Sequence, residues 1–306
     1  MGCEQLNTTF ILDGGAGRMI TAIPALERYK IENPEDDFRI LTAAWENIYW
    51  AHPVLQNRVF NINSKGTFDL HMKGRRVVHP EPYQMYQYYD EGKHLTECFD
   101  IAINGTNDLI DKPNLYITKQ ETVAAQRLIY EATQKTRKQK TIIFQPYGSG
   151  MKMLNDRPHD NSNRSLDVDF ALQLAFNMSK EHTVIFFGEK EFYHPGDNYS
   201  VQFFDKGADL RMYMSLIANC DYFVGVDSVG QHIARAFNKP GTIILGATKA
   251  ENISYPDHFS IYRNDVVPTY VPIRLSQIDC DFADNLNEDV MNFTEADLQR
   301  ILSTIK

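Results

Sequence analysis

Short runs of β-branched and aromatic residues, each released through a polar or glycine-containing turn into a helical pattern, recur along most of the chain. TTFIL (8–12) leads into DGGAG and then a helical spacing from Met19 to Lys30 that puts Ile20, Ile23, Leu26 and Tyr29 near one face. Pro24 either kinks this helix or marks the start of its second part, because proline inside a helix removes a backbone donor. FRILT (38–42), VFNI (59–62) and RVVH (76–79) continue the series, interleaved with helical or aromatic segments such as TECFDIAI (96–103). A long helical pattern from about Lys119 to Thr136 ends in KTRKQK. The alternation then resumes with TIIFQ (141–145), a helix over 167–178, TVIFFG (183–188), SVQFF (200–204), a helix over 209–219, YFVGV (222–226), a short helix and GTIILG (241–246).

Strands that are apolar on both faces need helices above and below them, so this alternation predicts an α/β fold with parallel sheets. A length of 306 residues exceeds what one ordinary core accommodates. Two doubly wound domains are therefore expected, residues 1–138 and 139–306, with KTRKQK as the linker. The terminal TEADLQRILSTIK has Thr294 as an N-cap and an apolar stripe of Leu298, Ile301, Leu302 and Ile305, which is expected to pack back on the first domain.

Composition narrows the function classes. No apolar stretch is long enough for a membrane span, and MGCEQLNTT lacks the form of a secretory signal, so a cytoplasmic location is expected. Cys3, Cys98, Cys220 and Cys280 are far apart and form no CxxC pair, which argues against a disulfide framework or a zinc site. The net charge of −9 opposes bulk attraction to nucleic acid or anionic lipid. That charge is uneven: residues 1–140 hold 17 Lys and Arg against 18 Asp and Glu, and the remainder hold 14 against 22.

The most informative stretch is DYFVGVDSVGQHIARAFNKPGTIILGATKAEN (221–252). A buried strand ends at Asp227, and Ser228-x-x-Gln231 has the form of a capping box opening a helix. Asp227 and Ser228 read as helix caps or as part of a ligand site. Open α/β sheets bind ligands beyond the carboxyl ends of their strands, where a helix start offers free N–H groups to phosphate. Gly230 is expected to let a ligand approach the backbone closely, and His232 to donate to the same anion.

This run resembles the nucleotide-sugar-binding signature of the heptosyltransferase-like glycosyltransferases of family 9, an apolar strand, Asp-Ser/Thr-Gly-x-x-His, a helix, Pro, an apolar strand and Gly-x-Thr. Asp227, Ser228, His232, Pro240, Gly246 and Thr248 fall on its positions, while the family glycine falls on Val229, with Gly230 displaced by one. FILDGGAGRMITAIPALERYK resembles the family's first strand, small-residue loop and Pro-Ala-Leu helix. FQPYGSG (144–150) resembles the loop opening the second domain, NRSL (163–166) the site of a basic residue for the donor diphosphate, and FFGEKEF (186–192) a strand end near the nucleotide. The resemblance implies a GT-B fold, two Rossmann-like domains facing a cleft, and a UDP- or ADP-sugar donor as substrate, with no cofactor and no metal. It assigns donor contacts to Gly14, Gly15, Gly17, Gly148, Ser149, Arg164, Gly188, Glu189, Asp227, Ser228, Val229, Gly230, His232 and Thr248.

Arg18 stands where the family has its catalytic aspartate. A guanidinium stays charged and cannot take a proton from a hydroxyl at neutral pH. Asp13 is the nearest carboxylate and the candidate base, with Arg18 offered to the leaving diphosphate; a turn-forming aspartate before Gly-Gly is the plain alternative. Asp279-Cys280-Asp281 is formally DxD, a pattern too common by itself to imply a metal. Lys73, Arg75 and Arg76 lie near the aromatic run PYQMYQYYDEG (82–92), so these residues and Tyr83 are candidate acceptor contacts. GGAGR…IPAL, EPYQMYQYYD and INGTND also resemble glycosyltransferases of T-even-like bacteriophages, which makes hydroxymethylated cytosine in DNA one candidate acceptor. A lipopolysaccharide or other surface glycan is the other. A sugar-nucleotide epimerase and an inactive nucleotide-sugar-binding module are the alternatives from other classes.

Overall fold

The computed structural model describes residues 7–106, 112–138, 140–154, 157–160, 162–193, 201–205, 207, 209–246, 248–264, 273–276, 280–282 and 290–305. The chain divides into two compact units, Met1–Ile117 and Thr118–Lys306.

The first unit runs β1 (Thr8–Leu12), α1 (Ala16–Thr21), α2 (Ile23–Glu32), β2 (Arg39–Thr42), β3 (Val59–Asn61), β4 (Arg76–Val78), α3 (Tyr86–Tyr89) and α4 (Leu95–Asn104). Pro24 falls in the first turn of α2, so it starts a second helix instead of bending one. The strands are parallel in the order β3-β2-β1-β4. Phe10 of β1 packs edge-on against Tyr29 of α2 and against Phe38, with ring centroids 4.9 and 5.8 Å away. Ile20, Ile23 and Leu26 are fully buried and Tyr29 nearly so, as their helical spacing predicts. Burying a side chain of this size stabilises the fold by about 2 kcal/mol.

The second unit runs α5 (Lys119–Thr136), β5 (Thr141–Gln145), β6 (Met151–Leu154), β7 (Arg157–Asp160), α6 (Val168–Ser179), β8 (Thr183–Gly188), β9 (Val201–Asp205), α7 (Leu210–Asn219), β10 (Tyr222–Val226), α8 (Val229–Ala236), β11 (Gly241–Leu245), α9 (Ala250–Ile253), β12 (Ser260–Arg263), β13 (Ile273–Ser276), β14 (Cys280–Phe282) and α10 (Glu295–Thr304). Six parallel strands follow the order β12-β11-β10-β5-β8-β9, while β6–β7 and β13–β14 form antiparallel pairs. Asp279 of the DxD pattern lies outside the described residues.

One expectation about domain organisation is corrected. The division falls before α5, not after it, because α5 packs along α7. There the fully buried Arg211 guanidinium donates through Nε and Nη2 to the two carboxylate oxygens of Glu121, each at 2.7 Å. Within the second unit, Leu298 and Ile301 of α10 are fully buried in its own core, and α10 packs on α6 and β11. Thr294 caps that helix as expected, its Oγ1 accepting from the Asp297 N–H.

Both sheets reverse direction once. In the first unit the chain leaves β1 for β2 and β3 on one side, then crosses to β4 on the other. In the second it leaves β5 for β8 and β9, then crosses to β10, β11 and β12. Loops diverge at such a reversal and open a crevice at the carboxyl ends of the two strands. The crevices lie between β1 and β4 and between β5 and β10.

Candidate functional site

At the second-unit crevice β5 ends in Gln145 and β10 leads into Asp227 and Ser228. Gln145 is buried, and its amide ties the loops together. Its Oε1 accepts from the Tyr213 hydroxyl at 2.8 Å and from the Gly230 N–H at 3.1 Å. Its Nε2 donates to Ser228 Oγ at 2.9 Å and to the Tyr147 carbonyl at 3.3 Å. The capping box predicted for Ser228 and Gln231 is therefore absent. Ser228 makes no side-chain cap bond, and Gln231 Nε2 instead donates to Asp227 Oδ1 at 3.0 Å.

The reason Gly230 carries no side chain also differs from expectation. A Cβ there would stand 2.3 Å from Gln145 Oε1 and 2.6 Å from both Phe223 Cζ and the Tyr213 hydroxyl oxygen. The protein's own side chains fill the space that had been assigned to a ligand. The Gln231 N–H turns back to the Ser228 carbonyl. Among the described residues the Ser228 and Val229 N–H groups have no hydrogen-bond partner, so two amides remain at the start of α8.

Arg164 approaches the residue before these amides, its Nη1 3.7 Å from Asp227 Oδ2. Burial pushes the Asp227 carboxyl up from the usual carboxylate range, against the opposing effects of Arg164 and Gln231. Arg164 is carried by a loop organised by Asp160, a residue the sequence did not flag. Asp160 accepts from the Ser162 and Ser165 N–H groups at 2.8 and 2.9 Å, and Ser165 Oγ accepts from the Gly148 N–H at 2.9 Å. Burial raises the Asp160 carboxyl, but the Ser162 and Ser165 bonds and the Arg164 charge outweigh it and hold the group below its usual value.

Gly148 thus joins the same cluster, and Ser149 is exposed beside it. Gly188 ends β8, the neighbour of β5, against Tyr147 and Phe186, and Glu189 follows, partly buried. His232 is buried on α8, its Nδ1 3.0 Å from the hydroxyl of Tyr255, a partner the sequence did not reveal. Thr248 is buried beyond the carboxyl end of β11.

At the first-unit crevice Asp13 follows β1, and His79 and Glu81 follow β4. Gly14 makes the turn at φ +91°, a conformation side chains resist, and Gly15 precedes α1, which contains Gly17 and Arg18. Arg18 is only 4% exposed and directed inward. Its Nη1 lies 3.4 Å from Asp13 Oδ1, its Nη2 donates to Glu81 Oε2 at 3.1 Å, and its guanidinium carbon sits 5.3 Å from the Tyr83 ring centroid. Asp13 Oδ2 faces His79 Nε2 at 3.4 Å. His79 and Glu81 were missed in the sequence because nothing local to RVVHPEP distinguishes them.

Lys73, Arg75 and Arg76 are not brought to this crevice. They precede or begin β4, at the amino-terminal edge of the parallel sheet. Arg75 donates to Thr9 Oγ1 at 2.9 Å and to the Thr8 carbonyl at 3.0 Å, Arg76 donates to the Tyr29 hydroxyl at 3.3 Å, and exposed Lys73 pairs with Asp69 at 3.6 Å. Of the acceptor candidates, Tyr83 alone lies with Asp13 and Arg18.

No protein-family model matches the chain, and no curated protein matches its sequence. Solved structures do match it. A glycosyl transferase of family 9 from Veillonella parvula DSM 2008 superposes with a TM-score of 0.69 at 11% identity, over 99% of this chain and 97% of that one. The E. coli ADP-heptose lps heptosyltransferase II gives 0.62 at 14% identity, over 96% and 99%. The dodecameric iron-containing glycosyltransferase TibC from enterotoxigenic E. coli H10407 gives 0.61 at 12% identity, over 98% and 75%, and TibC has also been solved with ADP-D-beta-D-heptose. The chain thus has the α/β fold of the GT-B glycosyltransferases. Among the described residues no helix is long and apolar enough to cross a membrane.

Proposed function

We propose that this protein is an inverting glycosyltransferase that moves a sugar, with heptose the first to test, from a nucleoside diphosphate to a glycan hydroxyl. The observation that carries the reading is that Ser228 and Val229, whose amides have no partner among the described residues, directly follow Asp227, the carboxylate that Arg164 approaches at the β5/β10 crevice. Aligned amides and a guanidinium suit a diphosphate, whose developing charge they stabilise as the sugar departs. The solved TibC complex with ADP-D-beta-D-heptose supports an ADP-sugar ahead of a UDP-sugar as donor.

In the first unit Asp13 is the base that the acceptor hydroxyl meets, since its side chain is 41% exposed whereas Arg18 is buried. Arg18 then serves by holding Asp13, not by reaching the diphosphate. A glycan is favoured over hydroxymethylated DNA because the basic residues that suggested a DNA footprint, Lys73, Arg75 and Arg76, belong to the opposite edge of the sheet.

A thermal-shift panel of ADP-, UDP- and GDP-sugars, followed by transfer assays with core oligosaccharide and with hydroxymethylated DNA, tests the reading. Stabilisation by an ADP-sugar and nucleotide release that grows with oligosaccharide are expected, and Asp13→Asn should lose transfer while keeping donor binding. Donor binding without turnover would identify a binding module instead, and no binding of any nucleotide sugar would overturn the proposal.

A further inference from the structure

Asp13 and Glu81 share a single guanidinium, that of Arg18, at 3.4 and 3.1 Å. Fully ionised, the three groups leave one negative charge unmatched. Arg18 cannot turn elsewhere to change this balance: it is buried, its Nη2 also reaches the Pro80 carbonyl at 3.5 Å, and its guanidinium lies near the rings of Tyr83 and Phe99. His79 is the remaining member of the cluster. Its Nε2 lies 3.4 Å from Asp13 Oδ2, and ligand atoms of Asp13, His79 and Glu81 lie within 4.8 Å of one another. The charged groups shown beside His79 include Asp13 from the end of β1 and Glu81 from its own loop, both of them engaged by Arg18 of α1.

One added proton on His79 balances the cluster, and transfer to a hydroxyl releases one proton. A divalent cation would also find two carboxylates and an imidazole here. Arg18 already engages both carboxylates, however, and a dication would bring two charges where one is missing.

We propose that His79 is the final holder of the proton released in glycosyl transfer, receiving it through Asp13; this rests on the glycosyltransferase reading above. The acceptor oxygen bonds to the anomeric carbon of the donor sugar. The bond from that carbon to the diphosphate oxygen breaks, and its electron pair leaves on the diphosphate. The hydroxyl proton passes to Asp13 Oδ2 and on to His79 Nε2, which becomes an imidazolium. No other reactant is needed. An imidazole exchanges protons near neutral pH, where a carboxylate alone is a poor store for one. A pair from the loops after β1 and β4 thereby does the work that the single residue at position 18, an arginine, cannot do.

The test compares wild type, His79→Gln, His79→Asn and Asp13→Asn with ADP-heptose and core oligosaccharide across pH 5.5–9. Donor binding and thermal unfolding are followed for each. The kcat/KM profile of wild type over this range is the reference for the variants. Either His79 variant should show kcat lowered roughly 100-fold with donor KM unchanged and a pH profile that departs from that of wild type. Added imidazole should restore part of the rate to His79→Ala. A His79 variant with the wild-type rate and profile overturns the assignment while leaving the glycosyltransferase reading intact. Dependence of the wild-type rate on Mg²⁺ or Mn²⁺, lost on chelation, together with Mn²⁺ binding to the donor-free protein that Glu81→Gln abolishes, places a metal at this cluster and overturns it as well. A wild-type protein that binds no nucleotide sugar overturns both.

Discussion

The amide of Gly230 lies 3.1 Å from Oε1 of Gln145, a residue 85 positions earlier in the chain. Through this contact the first turn of α8 is held to the end of β5, and the two amides before it are presented without a capping side chain. Gln145→Leu should therefore leave the Gly230 N–H, the Tyr213 hydroxyl and Ser228 Oγ short of partners in a buried site. A loss of at least about 3 kcal/mol is expected, since each of the three groups costs about 1–3 kcal/mol when left unsatisfied. Urea unfolding measures it, and an unchanged midpoint would show that the contact contributes nothing.

Gly230→Ala distinguishes a space kept for a ligand from one filled by the protein. With three heavy atoms within 2.6 Å of the new Cβ, overpacking should cost about 1–3 kcal/mol without any donor present. At Gly15 nothing lies within 4 Å of a built Cβ, and Gly15→Ala should stay within about 0.5 kcal/mol. Thermal unfolding of the two apo variants separates them; equal melting temperatures would return Gly230 to a ligand-clearance role.

Arg164→Met should weaken nucleotide-sugar binding by about 10- to 100-fold, the equivalent of one charge-assisted contact. The companion Lys73→Met should leave it unchanged, because Lys73 belongs to the other unit and pairs with Asp69. Titration calorimetry with the donor decides. Equal affinities for wild type and Arg164→Met would remove Arg164 from the diphosphate site.

Bonds from the Arg211 guanidinium hold Glu121 down to about 2, despite burial acting in the other direction. A carboxyl held below its unfolded value stabilises the fold above that value, about 4.3. That contribution is lost as pH falls through about 2. Glu121→Gln should cost about 2 kcal/mol at pH 7 and progressively less below pH 4, so that its stability curve meets the wild-type curve in acid. Parallel urea titrations at several pH values check this; a constant gap across the acid range would refute it.

What could be read locally was read. TTFIL, YFVGV and GTIILG are strands because their apolar runs demand burial on both faces, and the spacing of a known signature picks out Asp227, Ser228 and Arg164, of which the fold sets Arg164 against Asp227. Gln145 and Asp160 escaped because nothing in FQPYG or RPHD marks a side chain that will tie together loops from distant parts of the chain.

Strand β4 makes the limit plain. Arg75 and His79 are four residues apart in one short segment, and their chemistry alone made the arginine the better candidate for the site. The pairing of β4 beside β1, parallel and in register from Thr8 to Arg76, puts Arg75 at the amino edge and His79 against Asp13 at the carboxyl edge. Local pattern determines that a segment is a strand, since burial acts residue by residue. Which end of it meets the site depends on strand order and direction, and those follow from contacts between segments some 66 residues apart.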